Sequence, residues 1–384
     1  HLLSLTCFTQ NKKGFPMLIE HIELRHVKLE LVRPFETSMG IETHEEHIIV
    51  RVDSEGVSGW GECVVEPLPS YSPETVSTAW HILKDAIIPG LLGKRFATVV
   101  DALNAWGWVR GHLMAKAGLE SALWDVEAKQ KQVSLSKLLG GSRKVVDVGV
   151  SIGMQASEAH MLAEVSDYLD QGYQRIKIKI ARGRDLNYIE AIRREYPYMV
   201  LQVDANSAYT LEDLDIFREM DRYKLLLIEQ PLGYEDIYEH SLLQRELTTP
   251  ICLDESIHSL GDTQTALALK SCQIINIKPG RVGGFHESIK IHDFCSQHNI
   301  PVWHGGMLES GIGRAGNLAL ASLPNFTLPG DISASSRYFK EDIVHPEFVV
   351  NPDGTMLVPS NPGIGVDILM DRLISVTENC MDFA

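Results

Sequence analysis

Hydrophobic and polar positions change rhythm once along the chain, near residue 146. Before that point HIELRHVKLEL alternates apolar and polar residues, and EEHIIVRVDSEGVSGWGECVV holds two β-rich runs around the turn DSEG. A period of two marks half-buried strands, so residues 18–65 read as sheet. Two loops, RPFETSMGIETH and EPLPSYSPETV, break and follow these strands. Residues 74–139 then read as helices, chiefly ETVSTAWHILKDAIIPGLL and HLMAKAGLESALWDVEAKQKQ. In the second, apolar Leu119, Leu123 and Val126 stand at i, i+4 and i+7, which predicts an amphipathic packed helix. The first third is therefore α+β, strands first and helices after.

From residue 146 short apolar runs alternate with helical stretches. The runs are DVGVSIG (147–153), QRIKIKI (174–180), LQVDAN (201–206), LLLIEQP (225–231), ICLDES (251–256), IINIKP (274–279), VWHGG (302–306) and FTLPG (326–330). Most are continuously apolar, as parallel strands buried on both faces are. Eight β and α units in alternation predict a (β/α)8 barrel of the TIM type, an α/β fold. An open doubly wound sheet is the competing architecture. The absence of a Gly-rich phosphate loop after the first run weighs against it. Beyond 331 the alternation fades into loop and β-hairpin text, and this tail is expected to return to the front domain.

Composition narrows the function. The 384 residues are 44% hydrophobic and 22% charged, a globular balance. With 35 lysines and arginines against 51 acids the formal charge is −16, which repels phosphate backbones and anionic membranes. No apolar stretch approaches the length of a membrane span. The six cysteines show no C-x-x-C spacing and read as free thiols of a cytoplasmic protein. Residues 1–16, HLLSLTCFTQNKKGFP, lack the layout of a secretion signal and read as an upstream extension, with the functional text starting at Met17.

The informative charges stand at the ends of the runs. Lys179, Asp204, Glu229, Asp254 and Lys278 follow one another at intervals of 25, 25, 25 and 24 residues. In a barrel the C-terminal strand ends carry the chemistry, and equal spacing predicts equal height. A lone aspartate there reads as a helix cap or loop ion pair. Three acids on neighbouring strands read instead as oxygen ligands of a hard divalent cation such as Mg2+. Zinc fits less well, since no His pair or Cys cluster accompanies them. Lys177 and Lys179 form K-x-K and share a face, while Lys278 lies four strands on, across the barrel. Opposed ammonium groups can address both faces of one carbon. A lysine beside a cation and another lysine is expected to lose its proton readily and act as a base near neutral pH. The metal would stabilise the enediolate formed when a proton leaves next to a carboxylate.

At this point the chain resembles the enolase superfamily, in its muconate-lactonizing subgroup, and within it the o-succinylbenzoate synthase / N-succinylamino acid racemase family. The resemblance spans about residues 18–375 and rests on PFETSMG, GWGEC, MAKAGLESALWD, GVSIG, GYQRIKIKI, LQVDANSAYT, LLLIEQPL, TPICLDES, INIKPGRVGG, GGMLESGIGR and ASLPNFTLPGDISAS. It implies Asp204, Glu229 and Asp254 as Mg2+ ligands, with Mn2+ able to substitute, and Lys179 and Lys278 as the acid/base pair. It implies Lys177 as an electrostatic helper and Asn206 beside the site. It also implies that the front domain caps the barrel, bringing Met39 and Tyr71 over the substrate, with Ser151, Met307 and Leu308 completing the pocket. Arg281, three residues past Lys278, matches a position linked with racemase-capable members. His304 in VWHGG departs from the cysteine of many relatives and is expected as a hydrogen-bonded wall residue on the substrate side. The domains expected are a capping domain at 17–143, a barrel at 144–335 and a returning C-terminal segment at 336–384. The partner expected is a small-molecule carboxylate, with neither nucleic acid nor membrane, on a cytoplasmic homo-oligomer. The reaction expected is dehydration to o-succinylbenzoate for menaquinone, racemisation of N-succinylamino acids, or both. Muconate cycloisomerase and dipeptide epimerase share the fold, metal and lysines, but GGMLESGIGR and LPGDISAS favour the first assignment. A Schiff-base aldolase, with Lys179 or Lys278 as nucleophile, is the rival of another class.

Overall fold

The computed structural model describes residues 16–384. The expectation about residues 1–16, and Cys7 with it, falls almost wholly outside the described residues. Among those, five cysteines are free, four of them buried and Cys380 exposed.

The N-terminal sheet is built from β1 (His21–Glu36), β2 (Ile41–Ser54) and β3 (Val57–Cys63). β1 and β2 pair antiparallel from His21↔Asp53 to Glu36↔Ile41, so the segment RPFE extends β1 rather than forming a free loop. β2 and β3 pair from Ser54↔Val57, and the turn DSEG closes there through Glu55 and Gly56 at positive φ. Against β3 lies α1 (Leu113–Gln130). The approach is close enough to require glycine. A Cβ on Gly61 would stand 2.2 Å from the Gly118 carbonyl oxygen, and one on Gly59 2.3 Å from that of Ala122. This is the physical content of the text GWG.

α1 differs from the amphipathic helix its sequence predicts. It is buried almost all round, from Met114 to Ala128, Glu120 and Asp125 included. The reason is position: one side packs on the sheet, while Glu120 accepts the amide of His286 in the barrel at 2.8 Å. A helix packed on both sides has no polar face to show.

The seven strands of the barrel sheet are parallel and neighbour one another in chain order. They are β4 (Val150–Ile152), β5 (Arg175–Lys179), β6 (Val200–Asp204), β7 (Ile228–Glu229), β8 (Ile251–Leu253), β9 (Ile274–Ile277) and β10 (Val302–His304). FTLPG closes the ring. Thr327 donates to Val302 O at 3.2 Å on one side, and Gly149 donates to Gly330 O at 2.7 Å on the other. The next helix, α2 (Gly311–Ala321), follows the loop after β10. A small core of Leu227, Cys252, Ile274 and Trp303 fills the barrel interior, apart from the main core outside it. The chain ends in β11 (Thr377–Phe383), which pairs antiparallel with β1 and completes a four-stranded sheet.

Candidate active site

The register of the strands shows how the charged residues meet. Lys179 pairs with Asp204, and Asp204 with Glu229. Glu229, however, pairs with Cys252, and Cys252 with Ile274. Asp254 therefore lies two residues beyond the shared row and Lys278 four. The equal spacing read as a level row is a diagonal. Strands of a closed eight-stranded barrel are sheared by about one residue per strand, so residues at one height must climb in register. Four residues over four strand steps is that climb.

At this height the acids and cations interlock. Lys177 Nζ lies 2.9 Å from Glu229 Oε2, 3.1 Å from Asp204 Oδ2 and 2.6 Å from Asp331 Oδ2. Lys179 Nζ donates to Asp204 Oδ2 and Asn206 Oδ1, each at 2.7 Å. Lys278 Nζ donates to Asp254 Oδ2 at 2.8 Å and to the Tyr71 hydroxyl at 3.0 Å. Arg281 is buried and binds Asp254 through Nη1, with Nη2 on the Asn276 carbonyl at 2.5 Å. Burial opposes ionisation of Asp204, but Lys179 and Lys177 outweigh it and its pKa is lowered. Glu229 is raised by burial and by Asp204 beside it.

Lys278 corrects one expectation. Burial opposes its charge, yet Tyr71, Glu229 and Glu255 more than offset this, so its pKa is raised rather than lowered. Lys177 is raised in the same way, burial being outweighed by Asp331, Glu229 and Asp204. The lysine-to-lysine repulsion invoked from sequence is real but smaller than the pull of the surrounding carboxylates.

One pocket at the barrel mouth brings together Met39 and Tyr71 from the N-terminal domain, Lys179, Asn206 and Lys278 from the barrel, and Met307 and Leu308 from the loop after β10. Lys177, Arg281 and the three acids lie beneath it rather than on its wall. Ser151 also lies below, in register with Lys177, its hydroxyl without a hydrogen-bond partner. His304 is buried beside Phe326, ring centroids 6.0 Å apart, and neither ring nitrogen is hydrogen bonded. Strand alternation explains this: Trp303 turns inward, 5.0 Å from Lys177 Nζ, so His304 faces out toward the helices. Burial pushes its pKa down to about 3, leaving a neutral packing residue.

Four polar partners were not singled out from sequence. Asp331 holds Arg175 and Lys177, each at 2.6 Å, and burial is overcome by those two cations so that its pKa falls to about 2. It stands just past the end of the eighth run, where the strand-end rule would have found it. Asn276 donates to Glu229 Oε1 at 2.7 Å, and Glu255 accepts from Asn206 Nδ2 at 2.9 Å. The fourth is a wall of cap acids: Glu42, Glu45 and Glu66 line the pocket, and burial with repulsion from Glu45 and Glu66 raises Glu42 to about 8. No strand-end pattern marks these.

The trio Asp204, Glu229 and Asp254 suits a hard cation in kind, being buried carboxylates whose oxygens keep spare lone pairs. Their oxygens do not all lie within 4.8 Å of one another, because ammonium and guanidinium groups stand between them.

Residues 20–140 match the mandelate racemase / muconate lactonizing enzyme N-terminal domain, and residues 160–372 the enolase C-terminal domain-like family. The chain belongs to the enolase superfamily. This superfamily enzyme is 49% identical to an o-succinylbenzoate synthase of Bacillus subtilis (strain 168) over 92% of its own length and 95% of the relative's. It is 46% identical to an N-succinylamino acid racemase of Amycolatopsis sp, over 94% and 98%. A solved enolase-superfamily structure from Listeria innocua Clip11262 superposes with a TM-score of 0.92 at 42% identity, covering 96% of this chain and 99% of that one. An L-Ala-D/L-Glu epimerase of Bacillus subtilis is more distant, at 28%. Members of the superfamily work with a divalent metal.

Proposed function

We propose that this enolase-superfamily member is an o-succinylbenzoate synthase that also racemises N-succinylamino acids. The observation carrying the proposal is that Lys179 and Lys278 reach one pocket from strands four steps apart, with acids arrayed between them. Asp204, Glu229 and Asp254 would hold Mg2+, for which Mn2+ could substitute. When bound, the ion supplies electrostatic stabilisation of the enediolate that forms as the α-proton leaves. Lys179 takes that proton. In the synthase reaction it returns the proton to the departing β-hydroxyl on the same face, which leaves as water. Lys278, opposite, supplies positive charge to the developing anion. In racemisation each lysine serves one face of the α-carbon, one removing a proton while the other delivers one. Lys177 and Asp331 keep the acids oriented from below, and Tyr71 and Met39 exclude water from above.

The cap at 17–143 with its returning segment 336–384, and the barrel at 144–335, are proposed as the working domains. A cytoplasmic homo-oligomer acting in menaquinone synthesis fits this reading. Among the described residues no helix is long and apolar enough to cross a membrane. The dipeptide chemistry is disfavoured by the lower identity to the epimerase. A Schiff-base role is disfavoured because the nitrogen of each lysine is already engaged by a carboxylate, Lys179 by Asp204 and Lys278 by Asp254.

The test follows deuterium entry from heavy water into each enantiomer of an N-succinylamino acid. Lys179→Ala should abolish exchange from one enantiomer and Lys278→Ala from the other, and both should lose dehydration. Near wild-type exchange of both enantiomers in both variants would sink the two-lysine mechanism.

A further inference from the structure

The cap also touches the barrel at a place that the proton chemistry does not use. Glu62 is buried on β3, and its carboxylate sits on the N-terminus of α2. Oε1 accepts the Ser310 amide at 2.9 Å, while Oε2 accepts the Ser310 hydroxyl at 2.6 Å and the Gly313 amide at 2.8 Å. Amides of a first helical turn have no partner within the helix and lie at the positive end of its dipole, so a carboxylate there is doubly favoured. Here the carboxylate comes from the other domain.

Glu62 is itself held. His47 Nδ1 lies 2.6 Å from Glu62 Oε1, and His47 Nε2 lies 3.7 Å from Glu45 Oε2. Burial opposes a charge on this imidazole, yet Glu45 and Glu62 flank it and hold its pKa up to about 10. Both Glu45 and His47 line the substrate pocket. A line of buried ion pairs, Glu45–His47–Glu62, thus runs from the pocket wall to the start of α2.

The loop entering α2 carries Met307 and Leu308, which form the pocket's opposite wall. Leu308 has φ +55°, a left-handed conformation that a leucine keeps only when its surroundings hold it. The loop is tied by Met307 N to Glu309 Oε2 at 3.0 Å and by Arg314 to the Glu309 carbonyl at 2.6 Å. Its last residue, Ser310, gives both its amide and its hydroxyl to Glu62.

We propose that His47 and Glu62 are positioning residues: an interdomain latch that fixes Ser310, and with it the Met307–Leu308 wall, and so sets substrate affinity rather than the rate of proton transfer. The kinetic half of this rests on the function proposed above; the structural half does not.

Glu62→Gln keeps the side-chain length but turns an amide donor toward donors at α2. The expected result is a KM about tenfold higher for both substrates, the weight of a lost charge-assisted contact, with kcat within about threefold and Mg2+ affinity unchanged. In the ligand-free variant the amides of residues 307–313 should exchange hydrogen at least about tenfold faster than in the wild type. An unchanged KM, a loss carried by kcat, or unchanged exchange at 307–313 overturns the latch. If Glu62→Gln does not fold, Ser310→Ala removes one donor without touching a charge, and a KM about threefold higher with faster exchange is expected from it. A wild-type protein without turnover would overturn the proposed function alone, since the exchange measurement still decides the latch.

Discussion

Lys278 donates a hydrogen bond to the Tyr71 hydroxyl at 3.0 Å, across 207 residues of chain and across the boundary between cap and barrel. The same ammonium lies 4.4 Å from the centroid of the Tyr71 ring. The hydroxyl in turn donates to Asp254 Oδ1 at 3.1 Å. A cap residue therefore belongs to the immediate surroundings of a barrel lysine.

Tyr71→Phe should separate these contacts. It keeps the ring over the ammonium and deletes the hydroxyl. Hydrogen bonds to charged groups contribute about 1.5–3 kcal/mol, so kcat/KM for the enantiomer served by Lys278 should fall about tenfold or more. The enantiomer served by Lys179 should suffer less. Rates for the two enantiomers, measured side by side, check this; an equal loss in both would refute the pairing.

Metal dependence follows from the acids beneath the pocket. Exhaustive chelation should abolish turnover and added Mg2+ should restore it. Glu229→Gln should retain the fold by circular dichroism and lose turnover by several orders of magnitude, since stabilisation of developing charge is the main part of the barrier. Full activity after chelation would be incompatible with the mechanism.

Asp331 carries a stability prediction. It is the buried counterion of Arg175 and Lys177. Asp331→Asn leaves those cations short of one negative charge in the interior, and breaking a buried pair costs about 3–5 kcal/mol. Urea unfolding should show that loss; a change below about 1 kcal/mol would mean that Asp204 and Glu229 suffice to balance the cations.

His47 gives a pH dependence of definite sign. Its folded pKa, about 10, lies above the ordinary 6.5 because Glu45 and Glu62 offset its burial. Stability from the imidazolium is then complete below about pH 6.5 and is lost as pH rises through about 10. The gap in urea midpoint between wild type and His47→Gln should therefore narrow from pH 6 to pH 10. A gap that is constant or widens over that range contradicts the buried imidazolium.

Much of the architecture was legible because it is periodic. The eight apolar runs spaced through 147–330 announce parallel strands, and seven of them form the sheet while FTLPG closes it through Val302 and Gly149. The amphipathic reading of α1 failed because periodicity reports local burial on one face and is silent about a second domain on the other.

For the site, sequence spacing alone determined that Lys179, Asp204, Glu229, Asp254 and Lys278 end successive strands, since each βα unit repeats at nearly constant length. Only the tertiary structure decided their height, because shear in a closed barrel turns an even spacing into a four-residue climb. It also decided that His304 faces away from the pocket, that Asp331 joins Lys177, and that Glu62 meets Ser310 across 248 residues. Those contacts depend on how strands curl and how one domain docks on another, and neither leaves a period in the chain.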